Sequence, residues 1–289
     1  MDTLKHLETK IVDSQSFRDA IRLVYEGLAD DVEPLFLKSL DRINKIIFAK
    51  AFTRYGWLLA IYSALGKVEG DTLIIYYNSE EPKWTASTLI HEAIHVALDI
   101  NRQDLLDIIV DEALAYTASF KSGFQNLYLE GVKQAMEILS TCTNPYEDHE
   151  LTNTIIPRIL AHRLTKYNYT QLVEKVVEKP KAILNLWLDT NPEKNEIQAL
   201  ATALKIARID IENSLLETGC REESSTLYNT NKYSYELEGV DKDFLKMIEL
   251  LNEAAKNRQK AHQILRPWWN ELKEIEQELE AYLYTYSQA

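Results

Sequence analysis

Hydrophobic positions recur three and four residues apart over most of this chain. Residues 16–28 and 31–51 carry that spacing, so a helix is predicted in each. Residues 52–66 (Phe-Thr-Arg-Tyr-Gly-Trp-Leu-Leu-Ala-Ile-Tyr-Ser-Ala-Leu-Gly) are apolar without a decisive period. They fit a helix over 43–63, which is the preferred reading, or a strand paired with 71–78 across 67–70. Residues 71–78 follow Gly70 and are rich in β-branched and aromatic side chains, so they read as a strand. Ser79-Glu-Glu-Pro-Lys83 breaks it. Thr85 is a candidate N-cap for a helix over 85–100, with apolar positions at Leu89, Ile90, Ala93, Ile94, Ala97 and Leu98. After a short polar connection, a second helix is predicted over 104–121, with Gly123 marking its end.

Beyond Gly123 the pattern is helical throughout. Helices are predicted over 124–141, 151–167 and 169–178. A longer one runs over 191–218, with Asn191 as N-cap and Pro192 at N1. Residues 219–236 form the longest non-helical stretch. Asp241 then caps a helix to about 265, and Pro267 starts the last one. Eight glycines and seven prolines in 289 residues leave little room for long loops. The fold class is mainly α with a small β-sheet. Two regions are expected: 1–123, holding the strand and the helices around it, and 124–289, an all-helical region closing over it.

Charge removes several function classes. The net charge of −13 disfavours nucleic acid, whose phosphates need clustered lysine and arginine, and disfavours an anionic membrane surface. The longest apolar run, Trp57 to Tyr62, is too short to span a bilayer. The first residues are polar and mixed in charge, unlike a signal peptide. Two distant cysteines, Cys142 and Cys220, make a disulfide framework unexpected. A cytoplasmic location is the expectation.

Chemistry concentrates in residues 91–95, His-Glu-Ala-Ile-His. On a helix, positions four apart differ by roughly 40° of rotation, so His91 and His95 leave one face a turn apart. That geometry suits two ligands of one tetrahedral zinc ion. Glu92 sits roughly 100° round from His91, badly placed to ligate and well placed to reach a water. On the next helix, Glu112 stands mid-run among Ile109, Val110 and Ala113. Antiparallel packing of the two helices would bring its carboxylate to the histidines.

Residues 71–121, under a fifth of the chain, resemble the gluzincin metallopeptidases, which place His-Glu-x-x-His on one helix and a glutamate ligand on the next. The resemblance implies a zincin-like α+β core, one zinc ion held by His91, His95 and Glu112, and Glu92 as general base. The substrate would be a peptide or protein, laid as an extended strand along a sheet edge. Zinc acidifies a water, and Glu92 takes its proton and returns it to the leaving nitrogen. Sixteen residues separate His95 from Glu112, which is short for that family. Tyr116 stands where many members carry an acid that orients a ligand histidine. Asp99 or Asp111 could supply that contact instead.

A donor to the developing oxyanion is not identified by the motif. Tyr116, one turn after Glu112, and His162, which shares a face with Arg158 and Lys166, are candidates. Two other function classes remain open at this point. One is a regulator or sensor that keeps the metal without proteolysis. The other is a helical interaction protein in which 91–95 is accidental.

Overall fold

The computed structural model describes residues 18–49, 65–77, 81–100, 105–141, 150–204 and 206–207. Its elements are mainly helical, with one small sheet. Helix α1 spans Arg18–Gly27 and α2 spans Glu33–Arg42. Strands follow as β1 (Lys45–Ala49), β2 (Gly66–Glu69) and β3 (Thr72–Tyr76). Next come α3 (Pro82–Leu98), α4 (Leu105–Ser119) and α5 (Gln125–Ser140). After a π-type turn at Leu151–Ile155 lie α6 (Ile156–Leu164), α7 (Tyr169–Glu178), α8 (Ala182–Leu188) and α9 (194–204).

Helix α3 is the hub of the sheet region. It buries Thr85 through Ile90, Ala93, Ile94 and Ala97. Against it pack α1, which buries Ala20, Ile21 and Val24, and α2, which buries Phe36 and Leu40. Each buried leucine or isoleucine here contributes about 1.5–3 kcal/mol. Pro82 occupies the first turn, where its missing N–H costs nothing. Thr85 is therefore inside the helix and buried, not its N-cap. At the other end Asp99 adopts the left-handed conformation (φ 52°), and its N–H reaches His95 O at 3.0 Å. Arg42 bonds Val96 O and Asp99 Oδ2, both at 3.0 Å, and so ties the end of α2 to the end of α3.

The strand order is β1-β3-β2, with β1 parallel and β2 antiparallel to β3. Leu73, Ile74 and Ile75 in the central strand are fully buried. The helix expected over 31–51 ends at Arg42, and the helix preferred over 43–63 is replaced at its start by a strand, since residues 45–49 are β1. Asn44 starts the change by bonding Asp71 through backbone (2.8 Å) and side chain (2.6 Å). Ile46, Ile47 and Phe48 then align with Leu73, Ile74 and Ile75. Partners so distant in sequence leave no trace in local periodicity. Residues 67–70 are not merely the link to the strand, since 66–69 are themselves β2. The reversal is made by Gly70 and Asp71, with Gly70 at φ +62°. The remainder of 52–66 lies outside the described residues, as do 219–236 and the helices expected after 241.

Beyond α4 a π-type turn at Phe120–Phe124 leaves helical geometry at Ser122 and Gly123, where Gly123 takes φ +89°. Lys121 locks this corner: its Nζ donates to Tyr167 O (2.9 Å) and Thr165 O (3.2 Å) and pairs with Asp31 (3.0 Å). Helix α8 has no counterpart in the sequence reading; its buried Trp187 donates Nε1 to Ile159 O in α6. Asn191, expected as an N-cap, instead has φ +55°. The N-terminal bond of α9 comes from Glu193 N–H to Glu196 Oε2 at 2.6 Å, half of a capping box.

Contacts divide the chain into two compact units. One is drawn from stretches 1–101, 107–135 and 153–192, the other from 102–106, 136–152 and 193–289. The first holds every residue of the candidate site described below. Among the described residues, no helix is long and apolar enough to cross a membrane.

Candidate metal centre

Because α3 is buried on most sides, its half-buried positions His91, Glu92, His95 and Val96 form one open stripe. Helix α4 faces it and brings Glu112, which is half-buried among buried neighbours. The two helices are joined by a buried hydroxyl cluster: Ser87 Oγ lies 2.6 Å from Ser119 Oγ and 2.8 Å from Tyr128 Oη. Satisfied hydroxyls of this kind fix the relative register of packed helices.

Three ligand-type atoms converge. His91 Nε2 is 3.0 Å from His95 Nε2 and 3.2 Å from Glu112 Oε2, and His95 Nε2 is 3.6 Å from the same oxygen. Tetrahedral zinc with bonds near 2.0–2.1 Å would space its ligands about 3.3 Å apart. The triangle brackets that value, so the residues present fit such an ion. His91, His95 and Glu112 also meet as a group able to hold a metal ion.

Asp111 completes the support. His95 Nδ1 donates to Asp111 Oδ2 at 3.0 Å, and Asp111 is 2 % exposed. This is the carboxylate–histidine arrangement that sets the tautomer of a metal-binding imidazole, leaving Nε2 toward the ion. Of the two acids considered from sequence, Asp111 makes the contact, whereas Asp99 pairs with Arg42 at the surface. Tyr169 Oη, fully buried, donates to Leu114 O (3.0 Å) and so holds α4 just beyond Asp111.

Electrostatics follow from this packing. Burial is the largest influence on His95 and by itself disfavours the imidazolium. The carboxylates of Asp111 and then Glu112 together outweigh it and raise the pKa to about 10. For Glu112, burial pushes upward, but the His95 charge and the bonds from both histidines win and hold it well below the usual carboxylate range.

The family models, the curated proteins and the solved structures contain no match to this chain.

Glu92 lies under strand β2, with Gly66 directly against its side chain. Tyr116 reaches the site with its ring tilted 59° to that of His91, the centroids 4.4 Å apart. Its hydroxyl accepts from Arg158 Nη2 at 3.0 Å, and burial pushes its pKa up to about 12. Arg158 itself lies 4.8 Å from the ring centroids of both Tyr116 and Tyr128. The other members of its sequence stripe go elsewhere. His162 is held by Gln125, 2.7 Å from Nδ1, and Lys166 donates to Thr190 O at 3.1 Å. Of the two oxyanion candidates, the structure therefore brings Tyr116 to the histidines and ties His162 to α5. Gly66 escaped the sequence reading: a lone glycine before a strand signals close approach, but not to what.

Proposed function

We propose that this protein is a zinc-dependent metallopeptidase of gluzincin type, working in the cytoplasm on peptide or protein substrates. His91, His95 and Glu112 are the metal ligands, Asp111 orients His95, and Glu92 is the general base. The observation that carries this reading is the convergence of two Nε2 atoms and one carboxylate oxygen at 3.0–3.6 Å, with a buried acid behind one ring.

When bound, zinc supplies a Lewis acid that acidifies a water and polarises a carbonyl. The chain's own residues do the rest. Glu92 takes a proton from the attacking water as the new C–O bond forms, and returns it to the nitrogen as the C–N bond breaks. Its place beside, rather than among, the ligands follows from the helical offset of one residue. Tyr116 Oη accepts from Arg158, which leaves the phenol proton available as a donor near the site. Strand β2 is paired on one side by β3 and, among the described residues, lacks a strand on the other. An extended peptide can add there by main-chain hydrogen bonds.

The test is direct. The purified chain should bind one zinc ion, and Glu92→Gln should keep it while hydrolysis of a mixed peptide library falls by about 10²–10⁴-fold. Turnover unchanged in Glu92→Gln would refute the mechanism. Zinc without hydrolysis in the unaltered protein would favour a metal-binding regulator.

A further inference from the structure

We propose that Gly66 is a positioning residue for Glu92: the backbone of strand β2 at this point forms the wall that fixes the carboxylate. The proposal rests on the reading of Glu92 as general base. A methyl group at Gly66 would lie 2.5 Å from Glu92 Cγ, 2.9 Å from Glu92 Cδ and 2.9 Å from Thr88 Cγ2. Carbon atoms in favourable contact sit about 3.5–4.0 Å apart, so any side chain here collides with Glu92. Conformation does not explain the glycine. Gly70 and Gly123 have positive φ, and Gly66 does not. Space is what position 66 requires.

Neither neighbour can yield easily. Thr88 is buried, and its hydroxyl is committed to Trp84 O at 2.9 Å. Strand β2 is held by its pairing with β3, Gly66 opposite Ile75, and by Tyr76 N–H to Leu65 O at 2.7 Å. Leu73, Ile74 and Ile75 in β3 are fully buried. Glu92 is the member with free torsions, so a side chain at 66 displaces its carboxylate. Conversely, the bare backbone lets the Glu92 side chain lie directly against the strand, which restricts its torsions there. The ligand histidines and Glu112 are not among the atoms nearest to Gly66. Displacement therefore falls first on the base.

Two measurements test this on the full chain. In the zinc-loaded protein, Gly66→Ala should keep one zinc ion and hold KM within about threefold, while kcat falls on the order of 100-fold, as expected for a shift of about 1 Å in a reacting group. Unchanged kcat would overturn the proposal. The second measurement needs neither metal nor substrate. Gly66→Ala should lower the Tm of the metal-free chain by about 4 °C, and by less than half as much in a Glu92→Ala background, where Glu92 Cγ and Cδ are gone and only the Thr88 contact remains. If Gly66→Ala alone fails to fold, the double variant should recover folding. An equal loss in both backgrounds, or no recovery, would overturn the proposal. Absence of any peptidase activity would sink the reading of the site while the thermal coupling still decides the role of Gly66.

Discussion

Replacing Asp111 with asparagine isolates the charge behind the metal ligand. The amide in Asp111→Asn keeps the shape of the carboxylate and still offers an oxygen to His95 Nδ1, which lies 3.0 Å from Asp111 Oδ2 in the parent. The carboxylate lies across the imidazole from the metal position, roughly 7 Å away once a bond of about 2.0 Å is added. At an effective dielectric of about 20, Coulomb's law gives about 5 kcal/mol between a divalent cation and that charge. This is a ceiling. Asparagine also removes the cost of keeping a carboxylate buried, and it weakens the competing proton on His95 as well as the metal. The net expectation is a 10–100-fold loss in zinc affinity, about 1.4–2.7 kcal/mol. A competition titration against a chromophoric chelator reads it, with the loss larger at pH 9 than at pH 6, because proton competition fades as pH rises. Zinc affinity within twofold of the parent at both pH values would refute the assigned role of Asp111.

The metal-free protein should also respond to pH in a defined direction. His95 is raised from 6.5 to about 10, so its stabilising contribution is full below about pH 6.5 and fades as pH climbs toward 10. Glu112 is lowered, so its contribution is present above about pH 4.5 and lost as pH falls further. Thermal unfolding should therefore show a falling Tm between pH 6.5 and 10 without metal. Excess zinc should flatten that fall, since binding displaces the proton; identical slopes would count against the site. Away from the centre, Lys121→Met should cost about 2–4 kcal/mol in urea unfolding. It leaves Asp31 without its cation and two carbonyls without a donor. A loss under about 0.5 kcal/mol would mean the corner at Gly123 holds without it.

Much of the fold was legible because it is local. The helices around His91 and Glu112 follow from apolar spacing, and the strand at 72–76 from its β-branched run. The motif placed His91 and His95 on one face through helix geometry alone. Other features were not local. Lys45–Ala49 became a strand because β3 lies alongside it, and a short apolar run has no period that decides between helix and strand. Thr85 resembled a cap, but Pro82 begins the helix a turn earlier. Asn191 resembled one too, yet takes φ +55° while Glu196 bonds the N–H of Glu193.

At the centre itself the division is sharp. The sequence by itself determined which side chains leave α3 together, because a helical repeat of 3.6 residues allows no other outcome. It also marked Glu112 as a carboxylate in apolar company. Only the tertiary structure decided that α4 packs so that Glu112 comes within 3.6 Å of both rings, and that Asp111 rather than Asp99 backs His95. It alone laid the bare backbone of Gly66 on Glu92. These contacts join segments far apart in sequence. They are set by how buried surfaces interdigitate, and local spacing carries no record of that.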